Sequence, residues 1–210
     1  MNYKGIIFGL TGPSGVGKGF IKEHIKKQLP NLEELTVATT RGRREADGKD
    51  RDTDISIGVF LERAKGGTII FAHQPFGTDG DWYGFYADQI KKLLIEGREI
   101  LTEIHVDNVR LFKSEFGQSV KIIGLMAEES YLETNLNNRM TESGEERRNR
   151  LAMALNEIET IKQLKEEGLV DSLIEVQSEN RETVAQLTFE RIRELGIGEV
   201  RSFRSGKEHE

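Results

Sequence analysis

Twelve residues near the N-terminus carry the densest chemistry in the sequence. The stretch GLTGPSGVGKGF, residues 9–20, spaces Gly12, Gly17 and Lys18 as G-x-x-x-x-G-K, with Ser14, Gly15 and Val16 between them. Glycines allow backbone N–H groups to turn inward around phosphate oxygens. A helix opening at Lys18 adds its positive N-terminal end, and the lysine reaches the terminal phosphates. The expected phosphate contacts are therefore Gly12, Ser14, Gly15, Val16, Gly17, Lys18 and Gly19. The position after such a lysine ordinarily gives a hydroxyl to Mg²⁺, and Gly19 has none. Thr11 or Ser14 can substitute in part, or phosphates, water and a carboxylate such as Glu103 can hold the metal, because Mg²⁺ usually keeps several waters. The loss bears more on catalysis than on binding.

A second cluster is cationic. In TTRGRREADGKD, Arg41, Arg43 and Arg44 enter a polar loop straight after two threonines, and guanidinium forks match phosphate oxygens. Taken alone, the run reads equally as a solvated charged loop. The arginines of RMTESGEERRNRL, read as helix-borne, invite the same two readings. Glu103 stands where the apolar strand ILTEIHV emerges, on the ligand side expected of a parallel sheet, or else serves as a hydrogen-bonded structural group. His105 has no second histidine at metal-ligand spacing. His24 and His73 read as surface or packing residues, and Trp82 as either a stacking or a packing residue.

Several elements must hold these groups in place. The apolar run 4–10 breaks at Gly12-Pro13 and is followed by Phe20, Ile21 and Ile25 at helical spacing, which is strand, turn, helix. Pro30 stops that helix at Leu29. LEELTVATT reads as a second strand and RGRREADGKDRDTD as a surface loop. SIGVFLERAKG reads as a short helix, with GTIIFAHQPF and GTDGDWYGFYA forming a small hairpin. Helices at YADQIKKLLIEG and DNVRLFKSEFG alternate with strands at REILTEIHV and SVKIIGLMA. A helical stretch from about Tyr131 to Gly168 is broken near MTESGEE by a mobile loop. DSLIEVQS is a last strand, NRETVAQLTFERIREL a closing helix, and residues 196–210 a disordered tail. Strand–helix alternation over this length predicts an α/β fold with a parallel sheet flanked by helices.

Composition narrows the partners. At 210 residues, with 36% apolar and 31% charged residues, the chain suits one domain with a substantial core. A net charge of −6 argues against nucleic acid as a partner. The N-terminal apolar run is too short to span a membrane and lacks a cleavage-site pattern. The absence of cysteine fits a cytoplasmic protein.

In order and spacing, GPSGVGKG, TTRGRR with GKD beyond it, YGFY, ILTEIHVDNV and RMTESGEERRNRL resemble the guanylate kinase family of P-loop nucleoside monophosphate kinases, over roughly residues 4–195. The resemblance implies an acceptor-binding insertion at about 37–88 and a lid at about 135–150. It gives Arg41, Arg44 and Tyr83 the acceptor's phosphate, with Glu103 beside the acceptor. It assigns Arg139 and Arg150, with Arg147 or Arg148 as a third, to the transferring phosphoryl group alongside Lys18. It further implies ATP with Mg²⁺, the metal held mainly by phosphates and water, and a monomer or homodimer. Departures fall on base reading and metal positioning. The tyrosine after GKD is Arg51, the D-x-D pair becomes Glu103 and His105, the late asparagine appears as Gln177, and only Glu62 offers a candidate for the guanine-reading carboxylate. The implied activity is phosphoryl transfer from ATP to GMP, dGMP or a related nucleotide. A phosphorylated sugar such as ribose bisphosphate is an alternative acceptor, and a non-catalytic protein-binding module an alternative role.

Overall fold

The computed structural model describes residues 3–43, 50–75, 80–137, 144–176 and 181–204, with side chains described for all of these except 144–146 and 197–204. In chain order the elements are β1 (Ile6–Thr11), α1 (Lys18–Gln28), β2 (Val37–Thr39), β3 (Arg51–Asp52), α2 (Ile57–Lys65), β4 (Ile69–His73), β5 (Tyr83–Tyr86), α3 (Ala87–Ile95), β6 (Glu99–Glu103), α4 (Val109–Phe116), β7 (Val120–Ala127), α5 (Glu129–Asn137), α6 (Gly144–Glu166), β8 (Ser172–Val176) and α7 (Arg181–Arg204). They form a parallel four-stranded sheet of order β6-β1-β7-β8, flanked by helices, and a separate sheet of order β3-β2-β5-β4. By backbone proximity the chain divides into two units, Met1–Ile7 with Leu32–Val120, and Phe8–Asn31 with Lys121–Glu210.

The second unit holds the phosphate loop. All six residues of β1 and the first six of β7 are buried, the unbroken pattern of strands covered on both faces. Helix α1 buries Ile21 and Ile25 and packs against α7. It ends as the sequence predicts, with the Leu29 N–H on the Ile25 carbonyl and Pro30 next. Helix α7 runs to Arg204, into the segment from residue 196 expected to be a disordered tail; residues 205–210 lie outside the described residues. Each glycine there costs a helix only about 1 kcal/mol. The Gly196 backbone also lies so close to Phe8 that a Cβ would meet its ring at 2.9 Å.

The first unit holds the smaller sheet. Ala38, Ile55, Phe60 and Ile69 form its core, with Trp82 and Tyr86 packed against them. Trp82 is thus a packing residue, its ring 6.0 Å from that of Phe60. The expected strand LEELTVATT is shorter than predicted. Only Val37–Thr39 is strand, and Glu33 makes a single parallel bridge to Ile100. The polar loop after it contributes β3, two residues parallel to β2. Asp52 accepts a 2.5 Å hydrogen bond there from the Tyr86 hydroxyl, whose pKa is pushed up to about 12 by burial and by that carboxylate.

The predicted hairpin β4–β5 has a bulge. Ile70 pairs with Phe85 but His73 pairs with Tyr83, and between them Phe71 takes a left-handed φ of 56°. Packing and hydrogen bonding hold this uncommon conformation. The Phe71 ring sits 4.3 Å from that of Phe112, and the Phe71 carbonyl accepts from Asn108 Nδ2 at 2.9 Å. The bulge aims His73 between Tyr83 and His105, with ring centroids at 6.0 and 5.0 Å.

Burial pulls the His73 imidazole down to a pKa of about 4, and neighbouring His105 adds to the shift, against the opposing pull of the Phe71 carbonyl and Asp107. An unfolded histidine protonates near 6.5, so between those values the unfolded chain binds more protons. The His73 contribution is complete above pH 6.5 and lost as pH falls toward 4, worth up to about 3 kcal/mol. Urea melts across this range should therefore show a shallower pH dependence in His73→Gln than in the wild type. Parallel profiles would refute the assignment.

Candidate functional site

Each end of the donor loop is set by the element it joins. β1 delivers Thr11, which is fully buried, its hydroxyl without a hydrogen-bond partner among the described residues. Gly15 and Gly17 then take left-handed φ values of 88° and 99°, and Gly17 caps α1. At Gly15 it is the left-handed backbone that calls for glycine, since a Cβ there would meet Leu136 Cγ on α5 only at an ordinary contact distance of 3.4 Å. The Val16 N–H closes the turn onto the Pro13 carbonyl at 3.2 Å. Lys18 starts α1, and its Nζ donates to the carbonyls of Gly12 at 2.6 Å and Pro13 at 3.1 Å. The first turn of α1 carries no acidic residue while its last carries Lys26 and Lys27, so the positive end of the helix dipole points to the loop unopposed.

Gly12, Ser14, Gly15, Val16, Gly17, Lys18 and Gly19 therefore make one continuous turn. Ser14 is half-buried, Val16 buried and Gly19 exposed. Of the two hydroxyls considered for Mg²⁺, that of Thr11 is sealed in the core and that of Ser14 stays on the accessible side. A Cβ on Gly19 would meet nothing within 4 Å, so a side chain at this exposed position would stand in open space. Among the described residues, no group of three or more acidic or histidine side chains is arranged to hold a metal.

Helices α5 and α6 enclose a cavity of about 310 Å³ lined by Glu133, Leu136, Asn137, Arg147, Arg148 and Leu151. Leu136 thus touches the donor loop and lines this cavity as well. Both arginines considered for the third lid position reach the cavity, Arg147 half-buried and Arg148 exposed, while Arg150 is half-buried on α6. Arg139 lies outside the described residues.

On the first unit, β2 and β5 pair antiparallel with Thr39 opposite Tyr83. Beyond that pair the chains stay tied. The Thr40 N–H donates to the Trp82 carbonyl at 3.1 Å, the Trp82 N–H to Thr40 Oγ1 at 3.0 Å, and Thr40 Oγ1 to Asp81 at 3.3 Å. Arg41 and Tyr83 consequently emerge at one end of one sheet, both half-buried, with the Arg41 N–H on Thr39 Oγ1 at 3.2 Å. Gly84 follows Tyr83 because a Cβ there would come within 2.5 Å of Ile69 Cγ2. Arg44 and Gln177 lie outside the described residues.

Glu103 is half-buried at the end of β6, in the other sheet. Glu62 is exposed on α2. The His73 ring lies beside that of Tyr83 and is paired with the His105 ring. His73 Nδ1 lies 2.9 Å from Asn108 Nδ2 and 3.1 Å from the Phe71 carbonyl, and His105 Nδ1 lies 3.4 Å from Asp107. Sequence reasoning left His73 as a surface or packing residue, since neither the bulge nor the distant Asn108 leaves a local signal.

No protein-family model matches the chain. It is 33% identical to the guanylate kinase of Carboxydothermus hydrogenoformans over 162 residues, covering 74% of this chain and 76% of the relative. It is 33% identical to the guanylate kinase of Oceanobacillus iheyensis over 158 residues, covering 74% and 75%. Its fold matches the crystal structure of guanylate kinase from Anaplasma phagocytophilum with a TM-score of 0.67, over 94% of this chain and 88% of that chain, at 20% identity. With a donor loop of this geometry and relatives at this identity and coverage, the chain belongs to the guanylate kinase family.

Proposed function

We propose that the protein is a nucleoside monophosphate kinase, transferring the γ-phosphoryl group of ATP to GMP, dGMP or a related nucleotide in the cytoplasm. The observation that carries this reading is the shared emergence of Arg41 and Tyr83 at one sheet end, a ready grip for an acceptor phosphate, in a family member that keeps Lys18 on its donor loop. An oxygen of the acceptor phosphate attacks the γ-phosphorus, the bond to the β,γ-bridging oxygen breaks, and ADP leaves with that electron pair. No protein nucleophile is needed, so the work is positioning and charge neutralisation.

In this reading the loop's N–H groups other than that of Val16, which is engaged with Pro13, and the N-terminus of α1 hold the donor phosphates, and Lys18 exchanges its two carbonyl partners for phosphate oxygens. Arg150 and Arg147 or Arg148, with Arg139, offset charge on the equatorial oxygens, while Arg41, Arg44 and Tyr83 orient the acceptor. Mg²⁺ bound to the nucleotide would neutralise the bridging phosphates; Ser14 and the open space at Gly19 accommodate it, with water and phosphates as its main ligands. The acceptor-binding part would comprise about residues 37–88 and the lid about 135–150. Among the described residues no helix is long and apolar enough to cross a membrane. A phosphorylated sugar is the second acceptor to consider, favoured by neutral His73, in place of a carboxylate, beside Tyr83.

Diphosphate formation from Mg-ATP and a panel of ribo- and deoxynucleoside monophosphates plus ribose bisphosphate tests the reading directly. Lys18→Ala should lower turnover by at least about a hundredfold, and undiminished activity would end the kinase proposal. Arg41→Ala should raise the acceptor's KM about tenfold while that of ATP stays constant, and equal rises would mean the acceptor is held elsewhere. Gly19→Ser restores the hydroxyl in open space, so turnover should hold or rise; a large loss would reveal a backbone role for the glycine.

A further inference from the structure

One peptide of the donor loop is held from outside it. Asn135 on α5 donates from Nδ2 to the Gly15 carbonyl at 2.9 Å, and its Oδ1 accepts from the guanidinium of Arg181 at 2.9 Å. The amide orientation follows from chemistry, since arginine only donates and a carbonyl only accepts. The N–H of the same Gly15–Val16 peptide is engaged with Pro13, so this peptide cannot rotate without losing both bonds. Helix α5 closes on the loop here, with the Leu132 carbonyl 3.6 Å and Leu136 Cγ 3.4 Å from the position of a Gly15 Cβ.

Arg181 is thereby fixed one amide away from the phosphate loop. It is exposed, and the bond to Asn135 uses one of its five N–H donors. It also opens α7, at the positive end of the helix dipole, where Glu182 in the same turn offsets that end. Within residues 9–20 the only cation is Lys18. An exposed guanidinium oriented toward the loop by a hydrogen bond, with further donors beyond the one that bond uses, is suited to meet the negative charge of a ligand held there.

We propose that Asn135 is a positioning residue for the donor loop, and that Arg181, oriented by Asn135, is a further contact for the phosphates of a bound nucleoside triphosphate. The inference rests on the donor loop binding ATP and does not depend on which acceptor is used.

Calorimetric titration of ATP and ADP into the wild type, Asn135→Ala, Asn135→Asp, Arg181→Ala and Arg181→Lys tests it, with thermal melts alongside. Arg181→Ala should weaken ATP binding about tenfold and ADP binding less, and Arg181→Lys should recover most of the loss. Asn135→Asp keeps the arginine pair but sets an acceptor against the Gly15 carbonyl, so it should weaken ATP binding more than Asn135→Ala does, with the acceptor's KM unchanged. Arg181 is exposed, so its variants are expected to melt with the wild type. ATP affinity within about twofold of wild type in Arg181→Ala would overturn the proposal, whatever the Asn135 variants do to stability. A wild type that binds neither nucleotide would instead overturn the donor-loop reading itself.

Discussion

A phosphate must be met by hydrogen-bond donors fixed before it arrives, and in the proposed function that demand falls on the backbone between β1 and α1. A loop of glycines has no side chains with which to hold its own shape. Its rigidity is borrowed from β1, buried along its whole length, from α1, pinned by Ile21 and Ile25, and from α5, which presses Leu132 and Leu136 against Gly15. The left-handed φ values at Gly15 and Gly17 favour glycine, and α5 lies within van der Waals reach of a Cβ at Gly15. Backbone freedom and side-chain packing thus act on the same residue.

The smaller sheet answers a similar demand with side chains. Thr39 opposite Tyr83, and the three bonds linking Thr40 with Trp82 and Asp81, hold two chain segments together past the end of regular pairing. Arg41 therefore emerges from a braced backbone despite entering a polar loop. Gly84 lets Ile69 approach β5 closely enough to close the core beneath Tyr83. The bulge at Phe71 completes the arrangement by turning His73 toward Tyr83, and its left-handed backbone is held by the aromatic packing of Phe71 on Phe112.

What could be read from sequence follows the range of each interaction. β1, the glycine turn and α1 were legible because motif and periodicity lie within some twenty consecutive residues. Helix α3 and strands β6, β7 and β8 were legible for the same reason. Strand β3 was not, since two polar residues become strand only by lying beside β2. The helix continuing beyond residue 196 was obscured by Gly196, whose close contact is with Phe8 at the other end of the chain. The bulge depends on Asn108, 37 positions from Phe71, and the support of Gly15 on Asn135, 120 positions away. A lone polar residue beside Leu136 gives no hint of such a partner.

Under the proposed function, the position of Lys18 bears on how an acidic chain would capture a polyphosphate. The net charge of −6 repels anions at long range, so affinity has to come from groups already committed locally. Lys18 Nζ already sits against the carbonyls of Gly12 and Pro13, which means its ammonium is partly stripped of water and held over the loop. Moving it onto a phosphate exchanges neutral carbonyl acceptors for charged oxygens. The charge-assisted bonds gained are the stronger kind, and most of the side-chain ordering that would oppose them has occurred before the nucleotide arrives.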